Sequence, residues 1–215
     1  MDKEEFLKAL EPKPYLLSNE YDFAKRIESF YLIAKTMIPG FDLSANEITL
    51  YENAIKYFSG DNAGEWPLNK GIYLYGKIGS GKTTFFKILC KLNEAAYTGN
   101  GFSILTVNSI VEGFAKSGFE YLEKFNASVW NISNHLLLDD LGQSASTVKH
   151  YGTGTNIVSE FIQRRYYVYK SAYKLTHIST NMEPSEIKTE YGEFISSRMK
   201  EMFHIVLYPG TDKRK

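Results

Sequence analysis

The chain has little cysteine and no excess of charge of either sign. Its 215 residues include one cysteine, Cys90, so it can form neither an internal disulfide nor a cysteine-based zinc site. Lysine and arginine number 25, as do aspartate and glutamate, and the formal net charge is zero. A neutral protein has no overall field that attracts nucleic acid or an anionic membrane. Any contact with DNA would therefore depend on local patches.

Long apolar runs are also missing. No stretch approaches the ~20 apolar residues of a membrane-spanning helix, and the first residues, Met1 to Glu5, lack the apolar core of a signal peptide. These absences predict a cytoplasmic protein with no membrane partner. Hydrophobic residues make up 43% of the chain, which is enough for one domain of ordinary size with a buried core and a short appendage.

The chain does contain a glycine-rich phosphate-binding sequence. Residues 76–83, Gly-Lys-Ile-Gly-Ser-Gly-Lys-Thr, fit G-x-x-x-x-G-K-[ST] and follow an apolar, strand-type run at 72–75. The glycines let backbone N–H groups turn toward an anion, and the helix that follows adds its positive end. We expect Lys82 to reach the β- and γ-phosphates of ATP and Thr83 to ligate Mg²⁺. The predicted nucleotide-binding residues are Gly76, Lys77, Ile78, Gly79, Ser80, Gly81, Lys82, Thr83 and Thr84.

Apolar periodicity divides the chain into two predicted parts, a helical N-terminal segment and an α/β domain. Residues 1–60 have helical patterns over 19–38 and from a capping box at Ser44 to Gly60, and this segment either packs on the core or docks a partner. Residues 61–215 alternate strands and helices, which is typical of an α/β domain with a parallel sheet. The predicted strands are 72–75, 102–107, 136–139, 174–179 and 204–208, and the predicted helices lie near 82–95, 109–125, 156–170 and 184–201.

The third predicted strand ends in two carboxylates, Asp139 and Asp140, which is the form of a Walker B motif. Asp139 would hold Mg²⁺ through water, and Asp140 would orient or deprotonate the attacking water. Paired acids at the end of a strand are also common as solvated turn residues. The phosphate loop upstream favours the catalytic interpretation.

Two further residues complete the predicted catalytic set. Asn181 follows the fourth predicted strand and would hold the lytic water or the γ-phosphate, unless it is an ordinary turn residue. Arg198 lies near the end of the last predicted helix. Its planar, permanently charged guanidinium suits an arginine finger that reaches a neighbouring subunit's nucleotide; the alternative is a solvated surface arginine.

Together these motifs resemble the AAA+ ATPases of the DnaC/IstB group, which comprises replicative helicase loaders of bacteria and phages and helper ATPases of certain transposons. The resemblance covers about residues 66–214. Besides the phosphate loop, it depends on the segments Leu-Leu-Asp-Asp-Leu-Gly (137–142), Arg-Arg-Tyr (164–166), Thr-His-Ile-Ser-Thr-Asn (176–181), Tyr-Gly (191–192), Ser-Arg-Met (197–199) and Gly-Thr-Asp-Lys-Arg (210–214).

The resemblance implies a P-loop AAA+ three-layer sandwich with a five-stranded parallel sheet, and an Mg²⁺-dependent ATP hydrolase that self-associates with ATP at subunit interfaces. In those terms Asn181 is the sensor and Arg198 the finger. The chain departs from most AAA+ proteins in having Asp140 where glutamate is usual, although the Asp-Asp pair is usual in this group. Because the sequence ends at Lys215, the C-terminal helical lid of larger AAA+ proteins is expected to be absent.

The family also suggests where DNA would bind. Single-stranded DNA is thought to follow helices between the phosphate loop and the Walker B strand, here residues 108–125. Lys116 and Lys124 are the candidate phosphate contacts, and Phe114, Phe119 and Tyr121 would stack on bases, unless these aromatic residues only form core. One of the two arginines at 164–165 is expected near the nucleotide or a subunit interface.

The remaining sequence adds less. The glycine-containing stretch 142–155 is predicted to be a flexible loop that contacts a neighbour or DNA. The histidines, at 135, 150, 177 and 204, have no metal-ligand spacing and are expected to be structural. The predicted function is an ATP-dependent replication protein that acts on a replicative helicase and single-stranded DNA. Two alternatives stay open: a transposition helper ATPase that acts on duplex DNA with a transposase, and a non-catalytic adaptor organised by ATP.

Overall fold

The structure is a computed structural model and describes residues 2, 21–95, 101–126, 135–142, 147–150 and 153–213. Among these, the helices are α1 (Phe23–Met37), α2 (Ala45–Ser59), α3 (Lys82–Ala95), α4 (Val107–Ser117), α5 (Phe119–Glu123), α6 (Ile157–Ala172) and α7 (Ile187–Met202). The strands are β1 (Gly71–Tyr75), β2 (Phe102–Thr106), β3 (His135–Leu141), β4 (Thr147–His150), β5 (Thr153–Asn156), β6 (Thr176–Thr180) and β7 (Phe203–Leu207).

A five-stranded sheet of order β2–β3–β6–β1–β7 forms the centre of the molecule, and every neighbouring pair is parallel. The predicted five-stranded parallel sheet is therefore confirmed. Because β3, β6 and β1 are neighbours, their carboxyl ends meet at one edge, where ligands bind in open α/β sheets. The phosphate loop follows β1, Asn181 follows β6, and the two acids lie near the carboxyl end of β3.

Two hydrophobic clusters cover the two faces of the sheet. One joins α1, α2 and α3 through aromatic residues such as Phe30, Tyr51 and Phe85. The ring centroids of Phe30 and Tyr51 are 4.7 Å apart, and those of Tyr51 and Phe85 are 4.8 Å apart. The other cluster joins α4, α6 and α7. The described part of the N-terminal segment thus packs on the sheet domain, while the division of the chain at residue 60 stays a prediction.

Buried Arg26 fastens α1 to two other helices. Its guanidinium donates hydrogen bonds to Ser59 Oγ at 3.1 Å, the Leu92 carbonyl at 3.1 Å and Asn93 Oδ1 at 3.0 Å. These bonds replace the hydrogen bonds to water that the guanidinium loses on burial. The position of α1 against the ends of α2 and α3 is therefore fixed by polar as well as apolar contacts.

Three local features differ from the predictions. Part of the stretch predicted to be a flexible loop forms an antiparallel hairpin of β4 and β5, although 143–146 and 151–152 lie outside the described residues. The predicted helix 109–125 is two helices, separated at Gly118 by φ 59° and ψ −143°. The last helix, α7, is kinked at Gly192, where φ is 84°. Each glycine adopts a backbone conformation that interrupts a regular helix.

Two histidines in the sheet are structural, as expected. His177 is fully buried and its Nδ1 accepts a hydrogen bond from the Ile72 amide at 3.1 Å, and His135 Nδ1 accepts one from the Leu175 amide at 2.9 Å. Burial lowers the pKa of His177 well below its usual value and that of His135 to about 3. Both rings are therefore neutral acceptors at neutral pH.

Of the arginine pair, Arg165 lies away from the predicted nucleotide site, so the expectation that one of the two is near the nucleotide or a subunit interface rests on Arg164. The Arg165 guanidinium is fully buried and donates to Thr176 Oγ1 at 2.8 Å and to the Leu175 carbonyl at 3.2 Å. These acceptors lie at the amino end of β6, away from the phosphate loop. Arg165 supplies hydrogen-bond donors to this end of the sheet, because buried carbonyl groups require donors.

Within the described residues, no helix has both the length and the apolar character that crossing a membrane requires.

Candidate nucleotide-binding site

The phosphate loop connects β1 to α3 and is confined by the segment that follows β7. A Cβ atom on Gly79, where φ is +74°, would lie 1.9 Å from Asp212 Oδ1. A Cβ on Gly76 would lie 2.9 Å from the Tyr208 carbonyl oxygen. Gly79 therefore requires glycine because of its positive φ, and Gly76 because of its φ of +156° and the close approach of the Tyr208 backbone. Lys77 and Ile78 are exposed on the loop, whereas Ser80 is buried.

Lys82 and Asn181, predicted from separate motifs, are in contact. The ammonium of Lys82 donates hydrogen bonds to the carbonyls of Gly76 and Lys77 at 2.9 and 2.8 Å. It donates a third to Asn181 Oδ1 at 2.6 Å. The end of β6 is thus linked directly to the loop that follows β1, as the strand order requires.

The two acids at the end of β3 lie beside the first turn of α3. Thr83 Oγ1 donates a hydrogen bond to Asp139 Oδ1 at 3.0 Å. Ser179 donates a short hydrogen bond to the same oxygen, and its Oγ accepts one from the Asp140 amide at 3.2 Å. Sequence patterns did not single out Ser179, although it lies two residues before Asn181 on the same strand.

A β-bulge makes the side chains of Asp139 and Asp140 point in different directions. Leu138 pairs with Ile178 and Leu141 with Thr180, so that both acids lie opposite Ser179 alone. Asp140 takes a φ of +63°, which is uncommon for a residue other than glycine. Such strained backbone is concentrated at functional sites. The bulge leaves Asp139 buried beside Thr83 and turns Asp140 toward the cavity.

These side chains border a cavity of about 420 Å³. Its floor is polar and comes from the phosphate loop, α3, Asp140 and Asn181, and one wall is largely apolar and comes from the connection between α1 and α2. The lining residues are Ile38, Gly40, Phe41, Asp42, Tyr51, Gly79, Gly81, Lys82, Thr83, Thr84, Asp140, Asn181, Tyr208 and Lys213. No short motif predicts the apolar wall, because its residues meet only when the helices pack.

Behind this wall, Glu47 joins α2 to the segment after β7. One carboxylate oxygen accepts hydrogen bonds from Ser44 Oγ at 2.7 Å and the Ser44 amide at 3.1 Å. The other accepts one from Tyr208 at 3.0 Å and pairs with Lys213. Burial alone would raise the pKa of Glu47, but hydrogen bonds from Lys213 and Ser44 outweigh burial and hold the pKa below its usual range. Glu47 is therefore a buried, ionised anchor.

The site suits a nucleotide with Mg²⁺. Ser80 Oγ is buried and has no hydrogen-bond partner among the described residues. The Thr83 hydroxyl and the Asp139 carboxylate form a pair of hard oxygen ligands of the kind Mg²⁺ prefers. Within the described residues, no group of three or more histidine, cysteine, aspartate or glutamate side chains could hold a metal alone. A metal here would share its ligands with phosphate oxygens and water.

Arg198 does not line the cavity of its own chain. Its guanidinium carbon lies 3.8 Å from the ring centroid of Phe194, 4.7 Å from that of Tyr166 and 5.1 Å from that of Tyr167. A cation over aromatic faces is held by the ring quadrupoles. The expected finger is thus on a different surface, packed against aromatic residues of α6 and α7.

The predicted DNA contacts fall into two groups. Lys116 and Lys124 are exposed, and Lys124 Nζ lies 5.1 Å from the ring centroid of Tyr121. Phe114 is fully buried, so the prediction that it stacks on bases is wrong, because its position in α4 faces the core. Phe119 is 44% exposed and remains accessible for stacking.

The fold of the chain matches solved structures of DNA-replication proteins. No protein-family model and no curated protein sequence matches it. A putative primosome component from Streptococcus pyogenes serotype M3 aligns over 92% of this chain and 100% of its own, with a TM-score of 0.54 and 16% identity. The DnaC helicase loader aligns over 83% of this chain and 98% of its own, with a TM-score of 0.54 and 18% identity.

A third match is domain III of the Thermotoga maritima replication initiation protein DnaA. It covers 90% of this chain and 68% of the matched chain, with a TM-score of 0.53 and 16% identity. At identities this low, the structural matches establish a shared fold alone. The predicted fold, an α/β domain around a five-stranded parallel sheet, is therefore confirmed, and it is the fold of the DnaC helicase loader structure.

Proposed function

We propose that this protein binds ATP with Mg²⁺, hydrolyses it, and acts in DNA replication as a helicase loader. The observation that supports this best is the meeting of three strand ends at one cavity. The Lys82–Asn181 contact at 2.6 Å and the Thr83–Asp139 contact at 3.0 Å bring together residues from three separate segments. Such an arrangement suits phosphoryl transfer to water, where catalysis is mostly positioning and charge neutralisation.

Each residue then has a defined part. Lys82 exchanges its carbonyl acceptors for phosphate oxygens, and the metal would be held by Thr83 directly and by Asp139 through water. Bound Mg²⁺ neutralises the charge on the phosphate oxygens. Asp140 accepts the proton of the attacking water, and Asn181 orients that water through its amide. The apolar wall that includes Phe41 and Tyr51 receives the base of the nucleotide.

The proposed partners are a replicative helicase and single-stranded DNA. The shared fold with the DnaC helicase loader and the sequence resemblance to its group support the helicase. Exposed Lys116 and Lys124 support a backbone contact with DNA. If both lysines contact phosphates, their replacement by alanine should reduce the salt dependence of single-strand binding by roughly 0.7 per contact on a logarithmic scale. The same replacement of Lys91, exposed on α3, is the control.

The chemistry is tested by comparing Lys82→Ala and Asp140→Asn with the wild type. Lys82→Ala should lose ATP binding, because the cavity then lacks its central cation. Asp140→Asn should keep ATP binding and lose most hydrolysis, since asparagine tolerates a positive φ as well as aspartate does but is not a base. Steady-state phosphate release and nucleotide titration measure the two effects. Unchanged hydrolysis in Asp140→Asn would refute the assignment.

The replication role requires a separate experiment. Purified protein should capture a replicative helicase and place it on single-stranded DNA only when ATP is present. Capture of a transposase and a preference for duplex DNA would instead support the transposition helper. Helicase loading by Lys82→Ala at wild-type level would support the non-catalytic adaptor.

A further inference from the structure

The segment that follows β7 lies directly on the phosphate loop. The Tyr208 amide donates to the Tyr75 carbonyl at 2.7 Å, and the Lys213 amide donates to the Gly79 carbonyl at 3.1 Å. Because the second bond is made to the loop itself, the backbone of Lys213 is fixed beside the phosphate loop.

The side chain of Lys213 lines the cavity and is anchored from behind. Its ammonium pairs with Glu47, whose side chain is only 5% exposed, whereas that of Lys213 is 46% exposed. An ammonium has three N–H donors. Among the described residues, Glu47 is the one acceptor recorded for the Lys213 ammonium, so two donors remain directed to the solvent or the cavity.

The charges that line the cavity leave a role for this ammonium. Lys82 and Lys213 are its cationic residues, and Asp42 and Asp140 are its acidic ones. A triphosphate carries several negative charges, and a hydrogen bond that involves an ionised group is among the strongest that a protein makes. The backbone N–H groups of the loop, Lys82 and a divalent metal would each take part of that charge, and a second ammonium at the cavity would take a further part.

We propose that Lys213 is a second phosphate-contacting cation of the nucleotide site and that Glu47 is the residue that positions it. The inference rests on the proposed function, since it requires ATP in this cavity. Glu47 belongs to the capping box of α2, so the ion pair also links the phosphates to the N-terminal helices. The segment after β7 thereby supplies, from the same chain, a second cation in addition to Lys82.

The test measures the affinities of ATP, ADP and AMP for the wild type, Lys213→Ala and Lys213→Arg. The alanine variant should bind ATP about 10- to 100-fold more weakly, as expected for one charge-assisted hydrogen bond, with a smaller loss for ADP and the smallest for AMP. The arginine variant should recover most of the ATP affinity. Lys188→Ala is the matched control, because Lys188 also pairs with a glutamate but does not line the cavity.

The ratio of ATP to AMP affinity within one variant does not depend on the fraction of folded protein, so it is the deciding readout. An equal loss for all three nucleotides, or no loss, would overturn the inference while leaving the proposed function intact. A wild type that binds none of them would overturn both. Glu47→Gln should lower the ratio of ATP to AMP affinity less than Lys213→Ala does. The double variant Glu47→Gln/Lys213→Ala should lower it no further than Lys213→Ala alone.

Discussion

Ser179 and Asp139 share a hydrogen bond that lies under the proposed metal site. The Ser179 hydroxyl donates to Asp139 Oδ1, the oxygen that also accepts from Thr83, and its Oγ accepts from the Asp140 amide. One buried side chain therefore fixes the direction of the first acid and the backbone of the second. Ser179 is a positioning residue, since it does not line the cavity.

Replacing Ser179 by alanine should lower kcat by about 10- to 100-fold, which is the usual effect of removing a partner of a metal ligand. The Mg²⁺ concentration for half-maximal activity should rise, because the Asp139 carboxylate is no longer oriented. ATP affinity in the absence of Mg²⁺ should stay unchanged. Steady-state phosphate release over a magnesium titration measures the first two effects.

Two variants control for a merely structural role of Ser179. Ser179→Thr keeps the hydroxyl and should restore activity. Ser171→Ala removes an exposed hydroxyl that bonds only to the Tyr167 carbonyl and should have no effect. A Ser179→Ala protein with a normal magnesium dependence would show that the hydroxyl does not position Asp139.

Gly79 tests whether the phosphate loop is held against the C-terminal segment. Alanine at this position requires a positive φ, which costs about 1–2 kcal/mol, and places its Cβ 1.9 Å from Asp212 Oδ1. We expect Gly79→Ala to lose ATP affinity by roughly tenfold, because the loop must change its backbone conformation or carry the strain, and the Asp212 side chain must move. A fluorescent ATP analogue measures the change.

Gly101 supplies the matched control. A Cβ atom there would meet no heavy atom within 4 Å, so Gly101→Ala should leave the affinity unchanged and the melting temperature equal or slightly higher. Wild-type affinity in Gly79→Ala, with a normal melting temperature, would mean that the close approach of Asp212 is not required for binding.

The sequence predicts the sheet and the floor of the site because both depend on local signals. The phosphate loop is one continuous motif, and Asp139 and Asn181 follow strands that periodicity marks. The apolar wall and the Glu47–Lys213 pair could not be predicted in this way, since those two residues are 166 positions apart and meet only through packing. Which of Arg164 and Arg165 is buried in the core could not be predicted, because a buried arginine and a functional one have the same sequence signal.

The buried histidines predict how the protein responds to acid. Burial lowers the pKa of His177 below its usual value and that of His135 to about 3, so the unfolded state binds more protons below the unfolded histidine pKa of about 6.5. The free energy of unfolding should therefore fall as the pH drops from about 6.5 toward 3. Each buried histidine adds a slope of about 1.4 kcal/mol per pH unit.

Comparison with His177→Asn isolates this effect from the carboxylates, which titrate alike in both proteins. The asparagine oxygen can replace Nδ1 as the acceptor of the Ile72 amide, and it does not titrate. Urea unfolding between pH 4 and 7 should give a slope that is about 1.4 kcal/mol per pH unit smaller for the variant. Equal slopes would mean that His177 is not forced to stay neutral by the fold.

Arg198 tests whether the proposed ATP site is completed by a second copy of the chain. Arg198→Ala keeps the cavity intact but should lose hydrolysis by on the order of 10³-fold or more, if the arginine stabilises the transition state in trans. Lys82→Ala loses its own ATP site but keeps Arg198. Mixing the two inactive proteins should restore phosphate release, because Lys82→Ala then supplies its arginine to the intact cavity of Arg198→Ala. The double variant Lys82→Ala/Arg198→Ala, mixed with Arg198→Ala, must stay inactive. No activity in the first mixture would place the role of Arg198 within its own chain, where its packing against Phe194 and Tyr166 holds it. Activity in the control mixture would show that the partner chain restores hydrolysis without supplying this arginine.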